Sequence, residues 1–289
     1  MRQATFQNLR RPPLSGMMHY PLEALQRLGL AVEGEIHSTR DRMLPYRDIM
    51  ISAHGPTSID GLGLNVGATD DAYRKLCIRA VMDYIDMVRD FPKLKQVSIH
   101  FNAMVWRDAD PPRVTYGDYA RMIDGYRQIA DYAAKYAVEI VIENQGLEWT
   151  GIAPETTGDQ VDWSKQAYQF FGVTPDDLSQ AYDDIGKSNV GLTLDASHAC
   201  TYVQRFPTEH RERELMKFLD LAPKVRHVHW SDNFLYDPRG RADTHGDLGT
   251  GTLPRPFHRS IRGMDATILL ETFGPVEGLE RQIEWVRGL

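Results

Sequence analysis

Side chains able to hold a metal ion recur at the ends of short apolar runs along this chain. They stand in ISAHG (His54), VSIHF (His100), VIEN (Glu143), LTLDASH (Asp195 and His198), HVHWSD (His229), DTHGDLGTG (Asp243 and His245) and LLETF (Glu271). A bound ion needs several deprotonated donors within roughly 2.0–2.5 Å. Imidazole and carboxylate without thiolate suit zinc, manganese, iron or cobalt better than calcium. Such a centre polarises substrate oxygens and assists proton transfer beside them.

The segments differ in what each says alone. Glu143 ends VEIVIE, and a carboxylate buried among apolar residues must be paired or bound to a cation. Glu271 in ATILLE and Asp195 after VGLTL follow the same logic, and His198 lies where a strand-to-helix turn brings it beside Asp195. His227 and His229 share one strand face by period two. His229 is nearer the strand's C-terminal end and is the expected ligand, with His227 behind it or in the core. His54 before Gly55-Pro56, His100, and the Asp243/His245 loop are equally explained, one at a time, by a turn, a strand end and a polar loop. They gain meaning only together.

Ligands so far apart in sequence need a scaffold that gathers strand ends. The spacing predicts strands at about 4–9, 30–36, 48–54, 96–102, 138–144, 190–195, 225–230 and 266–272, apolar on both faces as covered parallel strands are. Helices are predicted over 71–90 and 118–135 by three-four apolar spacing, and near 20–28, 175–186, 209–221 and 276–287. Thr174-Pro175-Asp176-Asp177 is a helix start signal. The helix between the second and third strands is poorly marked. Eight strands with interleaved helices in 289 residues predict an α/β fold, a single (β/α)8 TIM barrel over 1–289, whose strand ends point at one axis. A doubly wound open sheet fits less well, since no glycine-rich phosphate loop follows any strand. The polar stretch 146–174, with Trp149, Trp163, Tyr168, Phe170 and Phe171, reads as an active-site loop insertion after the fifth strand.

Composition agrees with a globular protein. Hydrophobic residues make up 42% and charged residues 25%, and a net charge of −7 does not favour broad binding to nucleic acid. No apolar run approaches the eighteen or so residues of a membrane span, and the basic N-terminus lacks the apolar stretch of a signal peptide. A cytoplasmic location is the default expectation. Cys77 and Cys200 are too far apart and too few for a disulfide framework; Cys77 sits on the core face of its predicted helix.

Taken together, IEN at 142–144, LDASH at 194–198, HVHWSD at 227–232, DTHGDLGTG at 243–251 and LET at 270–272 resemble the xylose isomerase-like TIM barrel superfamily over roughly 30–285. That superfamily includes sugar isomerases and epimerases and the endonuclease IV type of abasic-site endonuclease. The resemblance to the sugar enzymes implies one divalent ion (manganese, zinc, cobalt or magnesium) on Glu143, Asp195, His229 and Glu271, with His198 touching substrate. The resemblance to the endonuclease implies up to three zinc ions on those five residues together with His54, His100, Asp243 and His245. Two motifs depart from the endonuclease: Thr57 follows His54-Gly55-Pro56 where it typically has Tyr, and HSTRDRMLPYRD lacks its Trp-containing DNA loop, though Arg40, Arg42 and Arg47 carry charge.

The expected activity is therefore metal-dependent isomerisation or epimerisation of a sugar or sugar phosphate, with Glu143, Glu271 and His198 catalytic. Trp106, Arg107, Trp149 and Trp230 are expected at the pocket wall. The alternative is a zinc phosphodiesterase acting at abasic sites, with DNA as partner. A barrel that binds metal without catalysis is the third reading. Oligomeric state is open.

Overall fold

The computed structural model of the chain describes residues 14–101, 104–106, 117–163 and 168–289, without the side chains of 104–106, 168 and 169. Eight parallel strands close into a barrel: β1 (Leu14–Met17), β2 (Ala31–Gly34), β3 (Met50–His54), β4 (Gln96–His100), β5 (Glu139–Glu143), β6 (Val190–Asp195), β7 (Val225–Trp230) and β8 (Thr267–Leu270). Their order around the barrel follows the chain, and β1 pairs with both β2 and β8 to close it. The (β/α)8 expectation holds. The expected first strand at 4–9 lies outside the described residues, and Leu14–Met17 takes that place in the barrel. LSGM contains two small residues and no β-branched one, so residue pattern does not mark it.

The outer layer comprises α1 (Leu22–Leu28), α2 (Arg40–Met43), α3 (Asp71–Val88), α4 (Tyr119–Ala134), α5 (Pro175–Ile185), α6 (Ala196–Val203), α7 (Thr208–Met216), α8 (Arg255–Gly263) and α9 (Val276–Arg287). The weak signal between β2 and β3 corresponds to a real shortfall: α2 is four residues long and runs into a 3-10 turn at Leu44–Tyr46. On α3 the buried stripe is Tyr73, Cys77, Ile78, Val81, Tyr84, Ile85 and Val88. Leu76, expected on that face, is exposed, because the stripe slips by one position toward Ile78. Each aliphatic side chain buried fully in this way contributes roughly 1.5–3 kcal/mol.

Helix starts are specified locally. Asp70 accepts the Tyr73 N–H at 2.7 Å, and Asp118 accepts the Arg121 N–H at 2.9 Å. Thr174 and Asp177 form a reciprocal capping box with Pro175 at the first helical position. No periodic stripe announces α6, for the reason that every residue of it is buried. No helix among the described residues is long and apolar enough to cross a membrane.

Register brings the strand ends level. His100 stands opposite Glu143, and Asp195 opposite His229. His54, His100, Glu143 and Asp195 are the last residues of β3, β4, β5 and β6. Below them the barrel interior is unusually polar: Glu33, Gln96, Ser98, Thr193 and His227 are all buried. Interiors of such barrels are dominated by branched aliphatics, so this polar layer requires partners.

Candidate metal centre

Ligand atoms of Glu143, Asp195, His229 and Glu271 lie within 4.8 Å of one another at the C-terminal mouth of the barrel, all four residues buried. Glu143 is the hub. Its Oε1 is 3.1 Å from His229 Nδ1 and 3.5 Å from His198 Nδ1, and its Oε2 is 3.2 Å from His54 Nε2 and 3.6 Å from His100 Nε2. Glu271 Oε2 is 3.3 Å from both His229 Nδ1 and His245 Nδ1.

Most of these approaches are short in distance but misdirected as hydrogen bonds. Asp195 Oδ2, His229 Nδ1, Glu271 Oε2 and His245 Nδ1 are buried and have no hydrogen-bond partner among the described residues. Four orphaned donors and acceptors in one place would cost about 1–3 kcal/mol each. They converge on a common point rather than on each other, which is how ligands are arranged. Mixed imidazole and carboxylate donors fit a divalent ion of the zinc or manganese kind.

Two further groups flank this one. Ligand atoms of His54, His100 and Glu143 lie within 4.8 Å of one another, as do those of Asp195, His198 and His245. Asp243 joins the second group, its Oδ2 lying 3.1 Å from His198 Nε2 and 2.9 Å from His245 Nε2. The structure thus brings together all nine residues named as candidate ligands in the sequence.

Local structure explains their aim. Asp195 ends β6 and also caps α6, its Oδ1 accepting the His198 N–H at 2.6 Å. His198 Nδ1 donates to the Asn144 carbonyl at 2.7 Å, leaving Nε2 toward Asp243. Asn144 completes the clasp by accepting the Asp195 N–H at 2.7 Å. His245 has φ +42°, a strained region for a residue with a side chain. Asp232 organises that loop by accepting the backbone N–H groups of Asn233, Gly249 and Leu253. Gly251 packs so closely there that a Cβ would stand 2.4 Å from Asp232 Oδ1.

Charge is tightly balanced. Burial pushes the Glu143 carboxyl up, but His229 and His100 outweigh it and hold the group well below the usual carboxylate range. Burial lifts Asp195 to about 7, and lowers His100 to about 3. Burial would also lower His245, yet Glu271, followed by its bond to Asp243, holds it at about 10.

Two pockets open beside the centre. One of about 530 Å³ is bordered by His100, Gln145, Trp149, His198, Arg241 and Asp243. The other, about 200 Å³, is bordered by Met17, Glu33, Ile36, His54, Glu271 and Phe273. Trp149 reaches a pocket wall, its indole N–H donating to the Thr201 carbonyl at 3.0 Å. Trp230 does not. Alternation along β7 turns His229 into the barrel and Trp230 out beneath α8, where its indole N–H donates to His258 Nδ1 at 2.9 Å. Trp106 lies in a short strand, Met104–Trp106, paired with Tyr168–Phe170, with its side chain outside the described residues; Arg107 lies outside them altogether. Among the described residues of 146–174, Leu147 N–H donates to Thr201 of α6, and Arg241 binds the carbonyls of Ala153, Pro154 and Thr156.

Residue pattern missed Glu33. It sits in β2 (AVEG), buried, 2.8 Å from His227 Nε2 and 3.1 Å from His229 Nε2. The signal was the one used for Glu143, an acid inside an apolar strand, obscured by the neighbouring Gly34-Glu35.

Among solved structures, the chain is similar to a D-tagatose 3-epimerase-like protein, at 18% identity and a TM-score of 0.63, covering 96% of this chain and 98% of that one. It is similar to D-psicose 3-epimerase from Clostridium cellulolyticum H10 at 10% identity and 0.59, covering 96% and 97%. It is also similar to an IOLI protein with a bound zinc atom at 14% identity and 0.62, covering 95% and 97%. At such identities these likenesses establish the fold. No curated protein matches the sequence. The family model described as "Xylose isomerase-like TIM barrel" matches residues 36–289, six of the eight barrel strands and all nine candidate ligand residues. The chain belongs to the xylose isomerase-like TIM barrel family.

Proposed function

We propose that this protein is a divalent-metal-dependent sugar isomerase or epimerase that moves a proton at a carbon next to a carbonyl. The carrying observation is the convergence of Glu143, Asp195, His229 and Glu271, with orphaned buried ligand atoms, between two pockets. The solved sugar epimerases of the same fold support the substrate class, and the zinc-bound relative supports a metal. When bound, the ion supplies Lewis acidity that stabilises negative charge developing on adjacent substrate oxygens.

The chain's own residues divide the remaining work. Glu271 takes the proton from carbon, a role supported by its position at the border of the smaller pocket. Glu143 reaches the centre from β5, on the far side of His229 from β8, and is placed to serve the opposite substrate face. Its Oε2 is shared with His54 and His100, which keeps it ionised. His198, held by the Asn144 carbonyl and facing the larger pocket, positions a substrate hydroxyl. The insertion 146–174 shapes that pocket through Trp149.

The test combines elemental analysis of the purified protein with incubation of free and phosphorylated ketoses in deuterium oxide. One manganese, cobalt, zinc or magnesium ion and solvent deuterium at one substrate carbon are expected. Loss of deuterium uptake together with close to three zinc ions and nicking of an abasic duplex would overturn the proposal.

That second reading, a zinc phosphodiesterase, has one observation in its favour: the flanking His54/His100 and His198/Asp243/His245 groups. The arginines that carry charge in HSTRDRMLPYRD each lie beside an acid, Arg40 at 2.7 Å from Asp90, Arg42 at 3.7 Å from Glu35 and Arg47 at 4.0 Å from Asp48.

A further inference from the structure

Glu33 stands on β2, three strands round the barrel from Glu143 on β5. Its carboxylate is buried in the barrel interior and divides its oxygens between two imidazoles. Oε2 is 2.8 Å from His227 Nε2, and Oε1 is 3.1 Å from His229 Nε2. The other nitrogen of His227, Nδ1, is 2.7 Å from Thr267 Oγ1, and Gln96 also binds that hydroxyl at 2.5 Å. The other nitrogen of His229, Nδ1, faces Glu143 at 3.1 Å, Glu271 at 3.3 Å and Asp195 at 3.9 Å. The His229 ring is therefore held between one carboxylate below and three above.

We propose that Glu33 is the positioning residue of the metal centre: it fixes the Nε2–H of His229, so that the Nδ1 lone pair is presented to the ligand group. The inference rests on the metal reading of that group. A ligating imidazole has two nitrogens, and the hydrogen bond at one decides which tautomer offers the other. The Glu33–His229 contact is short but oblique, so the negative charge of Glu33 matters more than its direction. His227 makes the stronger contact and acts through Glu33. With its far nitrogen on Thr267, it prevents the carboxylate from swivelling away. A leucine or valine would fill this layer as barrels usually do. An acid there is explained by a partner whose tautomer must be set.

The test is Glu33→Gln, which keeps the volume, removes the charge and turns an amide N–H₂ toward one of the two rings. Zinc and cobalt binding are measured on the folded protein by competition with a chromophoric chelator, and the visible spectrum of the cobalt-loaded protein is recorded. An affinity about 10–100-fold below wild type with an altered cobalt spectrum is expected. Equal affinity and an identical spectrum in Glu33→Gln would overturn the proposal and reduce Glu33 to a core polar residue. Wild-type protein that binds neither ion would instead overturn the metal reading itself, a separate result. Should Glu33→Gln fail to fold, His227→Asn removes only the second tie; weaker binding with His229 intact is expected, and unchanged binding overturns the proposal.

Discussion

Asp195 gives one oxygen to His198 and keeps the other free. Its Oδ1 accepts the His198 backbone N–H at 2.6 Å, capping α6, while Oδ2 is buried without a hydrogen bond, 3.9 Å from His229 Nδ1. The same side chain thus starts a helix and offers its second oxygen to the candidate ligand group. Because the helix starts there, His198 is delivered to the site three residues later.

This double role separates two substitutions. Asn is as good a cap as Asp. Asp195→Asn is expected to keep stability within about 1 kcal/mol of wild type while metal content falls. Asp195→Ala is expected to lose metal and, in addition, about 1 kcal/mol from the missing cap. Thermal unfolding of metal-free protein and elemental analysis read the two effects apart; an Asp195→Asn protein that retains full metal would remove Asp195 from the ligand set.

Glu143 touches four histidines, whereas Glu271 touches two. Glu143→Gln is therefore expected to be the more damaging of the two. It should lower metal content and reduce turnover at least about 100-fold, the lower range for loss of a general acid or base. Glu271→Gln should reduce turnover comparably while retaining more metal. Steady-state kinetics beside metal analysis checks both, and unchanged metal and activity in both variants would disprove the shared centre.

Metal loading is expected to release protons. Although burial opposes charge on His245, Glu271 and Asp243 hold it at about 10, and the carboxylates around His198 hold that ring well above its ordinary value. The His245 ring is charged at neutral pH without metal, the His198 ring is shifted the same way, and a ligand histidine must be neutral. Affinity should rise with pH. Stability of the metal-free protein runs the other way: the His245 contribution is complete below about 6.5, the unfolded value, and is lost as pH rises through about 10. Calorimetric titrations in buffers of different ionisation enthalpy count the protons; a value of zero contradicts the histidine assignment.

Arg241 anchors the pocket wall. Its guanidinium lies 4.2 Å over the Trp149 ring and binds the carbonyls of Ala153, Pro154 and Thr156. Lysine lacks the planar fork that makes these contacts at once. Arg241→Lys is expected to make residues 146–160 more susceptible to limited proteolysis and to raise KM more than it lowers kcat. A proteolysis pattern and KM matching wild type would show that the segment is held by its other contacts.

Much of this was legible in residue order. Acids and histidines ending apolar runs are expensive to bury unless they serve together, so Glu143, Asp195, His229 and Glu271 could be picked out singly. Period two put His227 and His229 on one face of β7, and nearness to the strand's C-terminal end picked His229 for the centre. The alternation of strand and helix, with candidate ligands at the ends of so many strands and no glycine-rich phosphate loop, then favoured a barrel over an open sheet.

Tertiary structure decided the rest. Glu33 emerged only when β2 and β7 were seen across the barrel, because pairing through the interior leaves no spacing in the sequence. Trp230 left the pocket for the core because strand alternation is absolute in direction once His229 faces inward. The wholly buried α6 and the short strand LSGM carried no periodic signal to read. Sequence determined which side chains must be paired; only the closed barrel decided with whom, because burial is a local property and partnership is not.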